Sequence, residues 1–198
     1  MAEISIVCGL GNPDPRYHAT RHNLGFMALD RVSERHFLSW KSAPGPAHVA
    51  PWRVSGRTVS LLKPLTHMNE SGVALERHGA AATDALLVVC DDLNLPLGQL
   101  RFRPGGGSGG HKGLESIIER LGSSAFPRLR LGIGAPPPGV DWVEFVLSGF
   151  AADERGAADG LVETAADAIE TAVRSGLGAA MQRFNGGADP PGDSSGSA

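Results

Sequence analysis

Five consecutive apolar residues, Leu86-Leu87-Val88-Val89-Cys90, run straight into the acidic pair Asp91-Asp92. A strand with one wet face alternates apolar and polar residues. An unbroken apolar run instead marks a strand covered on both faces, as at the centre of a parallel sheet. Such a strand needs a helical layer above and below it, which places the chain in the α/β class. The rest of the pattern agrees. Ile4, Ile6 and Val7 lead into the turn Gly9-Leu10-Gly11-Asn12-Pro13, so a short strand is expected there. Leu24, Met27, Ala28 and Val32 fall on one helical face. Two β-prone runs within 47–63 flank Ser55-Gly56-Arg57, a hairpin signal that makes the sheet mixed. A helix is expected over 66–79 with Thr66 as its cap, a short strand over 100–103, a helix from about Leu114 to Leu121, and a strand through Leu129, Leu131 and Ile133. Leu161, Val162, Ala165, Ile169, Ala172 and Val173 define the clearest amphipathic helix, with a shorter one near 178–184. The expected architecture is a single α/β domain over 1–185, with a mixed, mostly parallel twisted sheet and helices on both faces. Residues 186–198 are rich in Gly, Pro, Ser and Asp, cannot offset the entropy of ordering, and are expected to be disordered.

Composition removes several functional classes. The two cysteines, Cys8 and Cys90, are too few for a disulfide framework and lack metal-ligand spacing; both lie in apolar runs and read as buried thiols in a reducing compartment. No apolar run is long enough to span a membrane, and no signal-peptide pattern opens the chain, so a cytoplasmic protein is expected. The net charge of −3 hides an asymmetry. Residues 1–130 carry 15 Lys+Arg against 11 Asp+Glu, whereas residues 131–198 carry 3 against 10. The basic part suits a polyanionic partner.

The glycine-containing segments hold the candidate chemistry. Gly9-Leu10-Gly11-Asn12-Pro13-Asp14 starts like a dinucleotide fingerprint, but Asp14 stands where close helix packing needs Gly or Ala, and Pro13 removes an amide. Asn12 still lies at the carboxyl end of a strand, where open α/β sheets bind ligands. His18 and His22 are four apart, but the Glu of a zinc-protease motif is missing and no third ligand is close in sequence; a histidine here is structural, simply exposed, or, at this loop-to-helix junction, a general base within reach of solvent and substrate. Met68 and Asn69 would stand in the first turn of the helix after Lys63-Pro64. Asp91 is placed either to cap or to orient a histidine; the Asp91-Asp92 pair also raises a divalent metal, but no third ligand follows. The glycine-rich stretch 105–113 is not a phosphate-binding P-loop, since Lys112 is followed by Gly113, and it reads as a mobile backbone loop beside a substrate. Arg101 and Arg103 flank Phe102 in a strand and so share one face, as suits phosphates.

Taken together, Gly9-Leu10-Gly11-Asn12-Pro13 with Tyr17 and Thr20-Arg21-His22-Asn23, Lys63-Pro64 with Thr66, Met68-Asn69 and Ser71-Gly72, Asp91 with Leu93, Leu95-Pro96 and Gly98, and the glycine run into His111 and Gly113-Leu114 resemble bacterial-type peptidyl-tRNA hydrolase. The motifs stay in register across about residues 3–185. The resemblance implies an enzyme that cleaves the ester between a peptide and the 3′ end of tRNA, without metal or cofactor. It implies His22 as the base that activates water and Asp91 as its orienter. Asn12 and Asn69 would hold the peptide or the tRNA terminus, with Met68 and Tyr17 shaping the site. Arg101, Arg103 and Arg130 match basic positions that the family uses for tRNA phosphates. The implied partner is peptidyl-tRNA, through its acceptor stem and 3′ end, and the implied state is a monomer with no membrane contact. The alternative is a non-catalytic RNA- or protein-binding module of the same fold.

Three positions depart from the family pattern. Lys112 stands where the family commonly has Asn, so a group that donates and accepts becomes one that only donates. That cation can serve an oxyanion or a phosphate. His67 replaces the usual aromatic residue before Met68, and Ala135-Pro136-Pro137-Pro138-Gly139 replaces a His-Pro-Gly-like turn.

Overall fold

The computed structural model describes residues 3–81 and 85–186. Its centre is β5 (Leu86–Asp92), all seven residues of which are buried. Alternate side chains of this strand enter different cores. Leu87 and Val89 join the larger apolar cluster, and Leu86, Val88 and Cys90 join the smaller one. The unbroken apolar run thus records two half-buried faces superimposed on one strand.

Around it lie β1 (Ile6–Gly9), β2 (Lys41–Ser42), β3 (Ala47–Val54), β4 (Arg57–Pro64), β6 (Leu100–Arg103) and β7 (Arg128–Gly132), in the order β2-β3-β4-β1-β5-β7-β6. β4, β1, β5 and β7 run parallel, and antiparallel pairs close both ends. The hairpin expected within 47–63 is β3–β4. Its two-residue turn uses Ser55 and Gly56, both at positive φ, which matches the twist of the flanking strands.

The larger cluster lies under α1 (Leu24–Arg35), α5 (Arg155–Ser175) and α6 (Leu177–Phe184). The smaller is covered by α2 (Ser71–Arg77) and α3 (Lys112–Leu121). The expected mixed, mostly parallel sheet with helices on both faces is therefore present. Two short elements went unread: β2, and α4 (Trp142–Val146), whose single turn sits between a Pro-rich stretch and a loop. The helix expected from Thr66 begins later. A 3-10 turn, Met68–Glu70, precedes α2, and the Thr66 hydroxyl is buried without a hydrogen bond among the described residues. The tail expected to be disordered lies, apart from Gly186, outside the described residues.

One close approach sets the position of everything that follows. A Cβ on Gly9 would sit 2.4 Å from the Gly25 carbonyl oxygen, and a Cβ on Gly25 would sit 2.5 Å from both the Leu10 amide and the Val89 carbonyl. Two glycines let the first turn of α1 lie directly on the end of β1 and the middle of β5. The 3-10 turn Arg21–Asn23, immediately before α1, is thereby pressed against the carboxyl edge of the sheet.

Candidate active site

His22 is the middle residue of that turn, and its Nδ1 lies 2.9 and 3.0 Å from the two carboxylate oxygens of Asp91 near the end of β5. A second imidazole reaches the same carboxylate: His111 Nε2 is 3.0 Å from Asp91 Oδ1. The hydrogen on His111 can be placed. Its Nδ1 accepts from the Gly113 and Leu114 amides at 3.1 and 3.4 Å, capping α3, so the ring hydrogen is on Nε2 and points at Asp91. His22 likewise donates through Nδ1, which leaves Nε2 as a lone pair with no partner among the described residues.

Asp91 is held charged against its burial. Desolvation raises a carboxyl, yet the two imidazoles and their hydrogen bonds outweigh it and push Asp91 well below the usual range. For His22 the same competition runs the other way. Burial pulls the imidazole down, but the Asp91 charge and hydrogen bond win, and the net shift is upward from 6.5.

His22, Asp91 and His111 also form a possible three-ligand metal set, with donor atoms all within 4.8 Å of one another. Its donor chemistry fits poorly. A metal needs a lone pair from each ring, whereas the α3 amides oblige His111 to present a hydrogen at Nε2. His18 is exposed and belongs to no such cluster among the described residues. Asp92 is engaged separately, accepting from the Asn94 amide at 2.8 Å and from Arg130 Nε.

The pair opens into a cleft of about 960 Å³ that also contains Arg101, Arg103, Arg128, Arg130, Lys112 and the 105–110 glycines. Its wall has a simple origin. On the antiparallel pair β6–β7, Arg101 faces Arg130 and Arg103 faces Arg128, while Phe102 between them turns into the core. Like charges directly opposed across strands are destabilising, so four arginines in two such pairs concentrate positive charge that needs offsetting on this wall. They are not equivalent. Arg101 and Arg128 are buried, and Arg128 donates to the Gly107 and Ser124 carbonyls, tying the glycine loop down. Arg130 is paired with Asp92. The Arg103 side chain has no hydrogen bond or ion pair among the described residues. Lys112 is exposed and bridged to Glu115 at 2.8 Å.

The remaining expected residues are not among those that line this cleft. Asn12 is fixed by its backbone: its amide donates to Asn23 Oδ1 at 2.7 Å and its carbonyl accepts from Asn23 Nδ2 at 3.0 Å. Asn69 is exposed on the 3-10 turn next to Met68, and Tyr17 is half-buried. Met68 is buried against α3; a Cβ on Gly113 would fall 2.6 Å from its sulfur. Three contributors were not read as site residues from the sequence: His111 as a second donor to Asp91, Arg128 as the anchor of the loop, and Trp142, exposed on α4 at the cleft.

The sequence profile of the family described as peptidyl-tRNA hydrolase matches residues 6–191. This chain belongs to the peptidyl-tRNA hydrolase family. The peptidyl-tRNA hydrolase of Rubrobacter xylanophilus is 48% identical over 177 residues, spanning 89% of this chain and 98% of its own. That of Fervidobacterium nodosum is 43% identical over 180 residues, spanning 91% and 95%. The crystal structure of peptidyl-tRNA hydrolase from Acinetobacter baumannii superposes with a TM-score of 0.86 at 32% identity, over 94% of this chain and 96% of that one. At the carboxyl edge of the sheet, the His22–Asp91 pair leaves one imidazole nitrogen without a partner among the described residues. Cys90 reaches the same cleft, but burial pushes its thiol far up, so it offers no thiolate. Ser108 Oγ accepts from the Gly110 amide and makes no hydrogen bond to a histidine ring among the described residues. Among the described residues no helix is long and apolar enough to cross a membrane.

Proposed function

We propose that this chain hydrolyses peptidyl-tRNA by direct attack of water, with His22 as the general base. The observation that carries the reading is the His22–Asp91 contact, which leaves Nε2 without a partner among the described residues on a ring that lines a cleft with four arginines. His22 Nε2 takes a proton from water as the oxygen attacks the ester carbonyl. Asp91 holds the tautomer and balances the imidazolium that forms. Collapse of the tetrahedral intermediate breaks the bond to the 3′-terminal ribose oxygen, which receives the proton from His22. An alkoxide leaves more readily than an amide nitrogen, so no covalent nucleophile is required.

The Asn69 amide, which both donates and accepts, and Asn12 Nδ2, whose Oδ1 already accepts from the Asp14 amide at 3.2 Å, suit a peptide backbone of any sequence. Met68 and Tyr17 shape that end of the site. Arg103, Arg130 and Lys112, with Arg101 behind them, supply phosphate contacts to the acceptor stem and 3′ end. A metal-free, cytoplasmic monomer completes the reading.

The test is release of N-blocked amino acid from tRNA by wild type and by His22→Ala, with and without a chelator. The expected result is chelator-insensitive turnover that falls about 10²- to 10⁴-fold in the variant, with unchanged folding by circular dichroism. Chelator-sensitive activity would return the two histidines and Asp91 to the role of metal ligands. A wild type that binds tRNA without turnover would favour the binding module.

A further inference from the structure

The three residues of the 3-10 turn Arg21–Asn23 each hold a different part of the molecule. His22 reaches Asp91 on β5, and Asn23 exchanges two hydrogen bonds with Asn12 after β1. Arg21 grips the segment that follows α4. Its backbone amide donates to the Ser148 carbonyl at 3.0 Å, and its neighbour Thr20 forms an antiparallel bridge with Gly149. Its side chain continues to Glu154, the residue before α5, at 2.6 Å.

The surroundings of that guanidinium are unusual for a surface ion pair. Only 6% of the Arg21 side chain is exposed. The cation lies between two rings, 4.3 Å from the Phe145 centroid and 4.7 Å from that of Phe150. Nε and Nη1 are buried with no hydrogen-bond partner among the described residues. A buried cation with one carboxylate partner is a poor device for stability, because desolvation offsets most of the attraction. Its geometry, in contrast, is specific. Phe145 belongs to α4, and α4 places Trp142 and Val146 in the cleft wall. The stack therefore links the wall that meets substrate to the residue adjacent to the base.

We propose that Arg21 is a positioning residue for hydrolysis: clamped by Phe145, Phe150 and Glu154, it sets the turn so that His22 presents Nε2 to the cleft only while α4 is seated. This rests on His22 being the base. A misplacement of about 1 Å in a catalytic group costs on the order of a hundred-fold in rate, and a turn released on one side has that freedom.

The experiment compares Arg21→Met, Arg21→Lys, Glu154→Gln and His22→Ala by kcat, KM and melting temperature on N-blocked aminoacyl-tRNA. Methionine keeps an apolar chain between the two rings and removes the cation. It is expected to lower kcat between about ten- and a hundred-fold, with KM and melting temperature near wild type. Lysine, which keeps a cation within reach of Glu154, recovers part of the loss; Glu154→Gln, which retains a neutral hydrogen bond, loses less than Arg21→Met. Wild-type kcat in Arg21→Met, beside an inactive His22→Ala, would reduce Arg21 to a strut. If Arg21→Met fails to fold, wild-type kcat in Glu154→Gln overturns the proposal equally. An active His22→Ala would remove the base itself, and the proposal with it.

Discussion

The rings of His22 and His111 lie 4.9 Å apart, tilted by 41°, and both direct an N–H at the Asp91 carboxylate. They come from opposite faces of the sheet: His22 precedes α1 over one core, and His111 caps α3 over the other. One buried charge thus fastens the two helical layers together at the carboxyl edge of the sheet. His111 has no free nitrogen, since its second one holds the α3 amides. Of the two histidines, only His22 is left to exchange a proton with substrate.

That division fixes the sign of a pH effect. His22 is displaced upward because the Asp91 charge outweighs burial. A base must be unprotonated, so wild-type kcat/KM should rise with pH through an inflection above 6.5. In Asp91→Asn the burial remains and the charge is gone, so the inflection should move below 6.5 while kcat falls by orders of magnitude through loss of the fixed tautomer. The two stability terms also have opposite windows. The His22 contribution is complete below 6.5 and is lost as pH rises through the raised value. The Asp91 contribution is complete above 3.8 and is lost as pH falls toward its depressed value. Profiles of kcat/KM and of melting temperature against pH, for both proteins, check this; an inflection that stays above 6.5 in Asp91→Asn would assign it to another group.

Arg103 and Arg101 should respond differently despite sharing a strand face. The Arg103 side chain lacks a partner among the described residues, so Arg103→Ala should weaken tRNA binding and reduce the slope of log affinity against log salt by about 1, with melting temperature unchanged. Arg101 is buried opposite Arg130. Arg101→Ala should lower melting temperature as well as affinity, because truncation leaves its surroundings unpacked. Salt titrations with calorimetry separate the two, and equal slopes in wild type and Arg103→Ala would place the phosphate contact elsewhere.

Lys112 is the departure from the family pattern whose role in the site is open to test. Its ammonium is exposed and held by Glu115 one turn along, an arrangement that a phosphate can displace at little cost. Lys112→Asn should therefore reduce the salt slope by about 1 and leave kcat within about three-fold. A fall in kcat well beyond that, with the slope intact, would put the cation on the developing oxyanion instead.

The sheet was legible because its signal is local: the apolar run ending at Asp91 announces its burial, and Ser55-Gly56 announces its hairpin. His22 and Asp91 were legible as types at strand and helix ends, and their pairing came from the family pattern. What stayed hidden depends on contacts across the fold. His111 lies 20 residues from Asp91 in a loop without periodicity. Arg101 and Arg103 read as a phosphate face, but that Arg101 is buried follows only from β7 lying opposite. Arg21 looked like any polar residue in its motif, and its partners Phe145, Phe150 and Glu154 lie more than 120 residues away. The short α4 has too few residues for a helical period to show.

The last prediction concerns Gly25, which brings the base to the sheet. A methyl group there would meet the Leu10 amide and carbonyl and the Val89 carbonyl, each at 2.5 Å. All three are backbone atoms, at the end of β1 and in the middle of β5, which cannot rotate away as a side chain would. Gly25 does not have a positive φ, so alanine costs nothing in local conformation; the whole penalty is steric. Gly25→Ala should destabilise by about 1–3 kcal/mol or more through overpacking, and relief can come only by lifting the start of α1 from β1 and β5. That displacement carries His22 away from Asp91, so activity at temperatures where the variant is fully folded should fall at least about ten-fold. Gly79→Ala is a control, since its surroundings are empty and its cost is confined to positive φ: it should lose stability without losing kcat. Denaturant unfolding and turnover measured on both variants decide the matter. A Gly25→Ala enzyme with lowered stability but wild-type kcat would show that the catalytic turn does not depend on this contact.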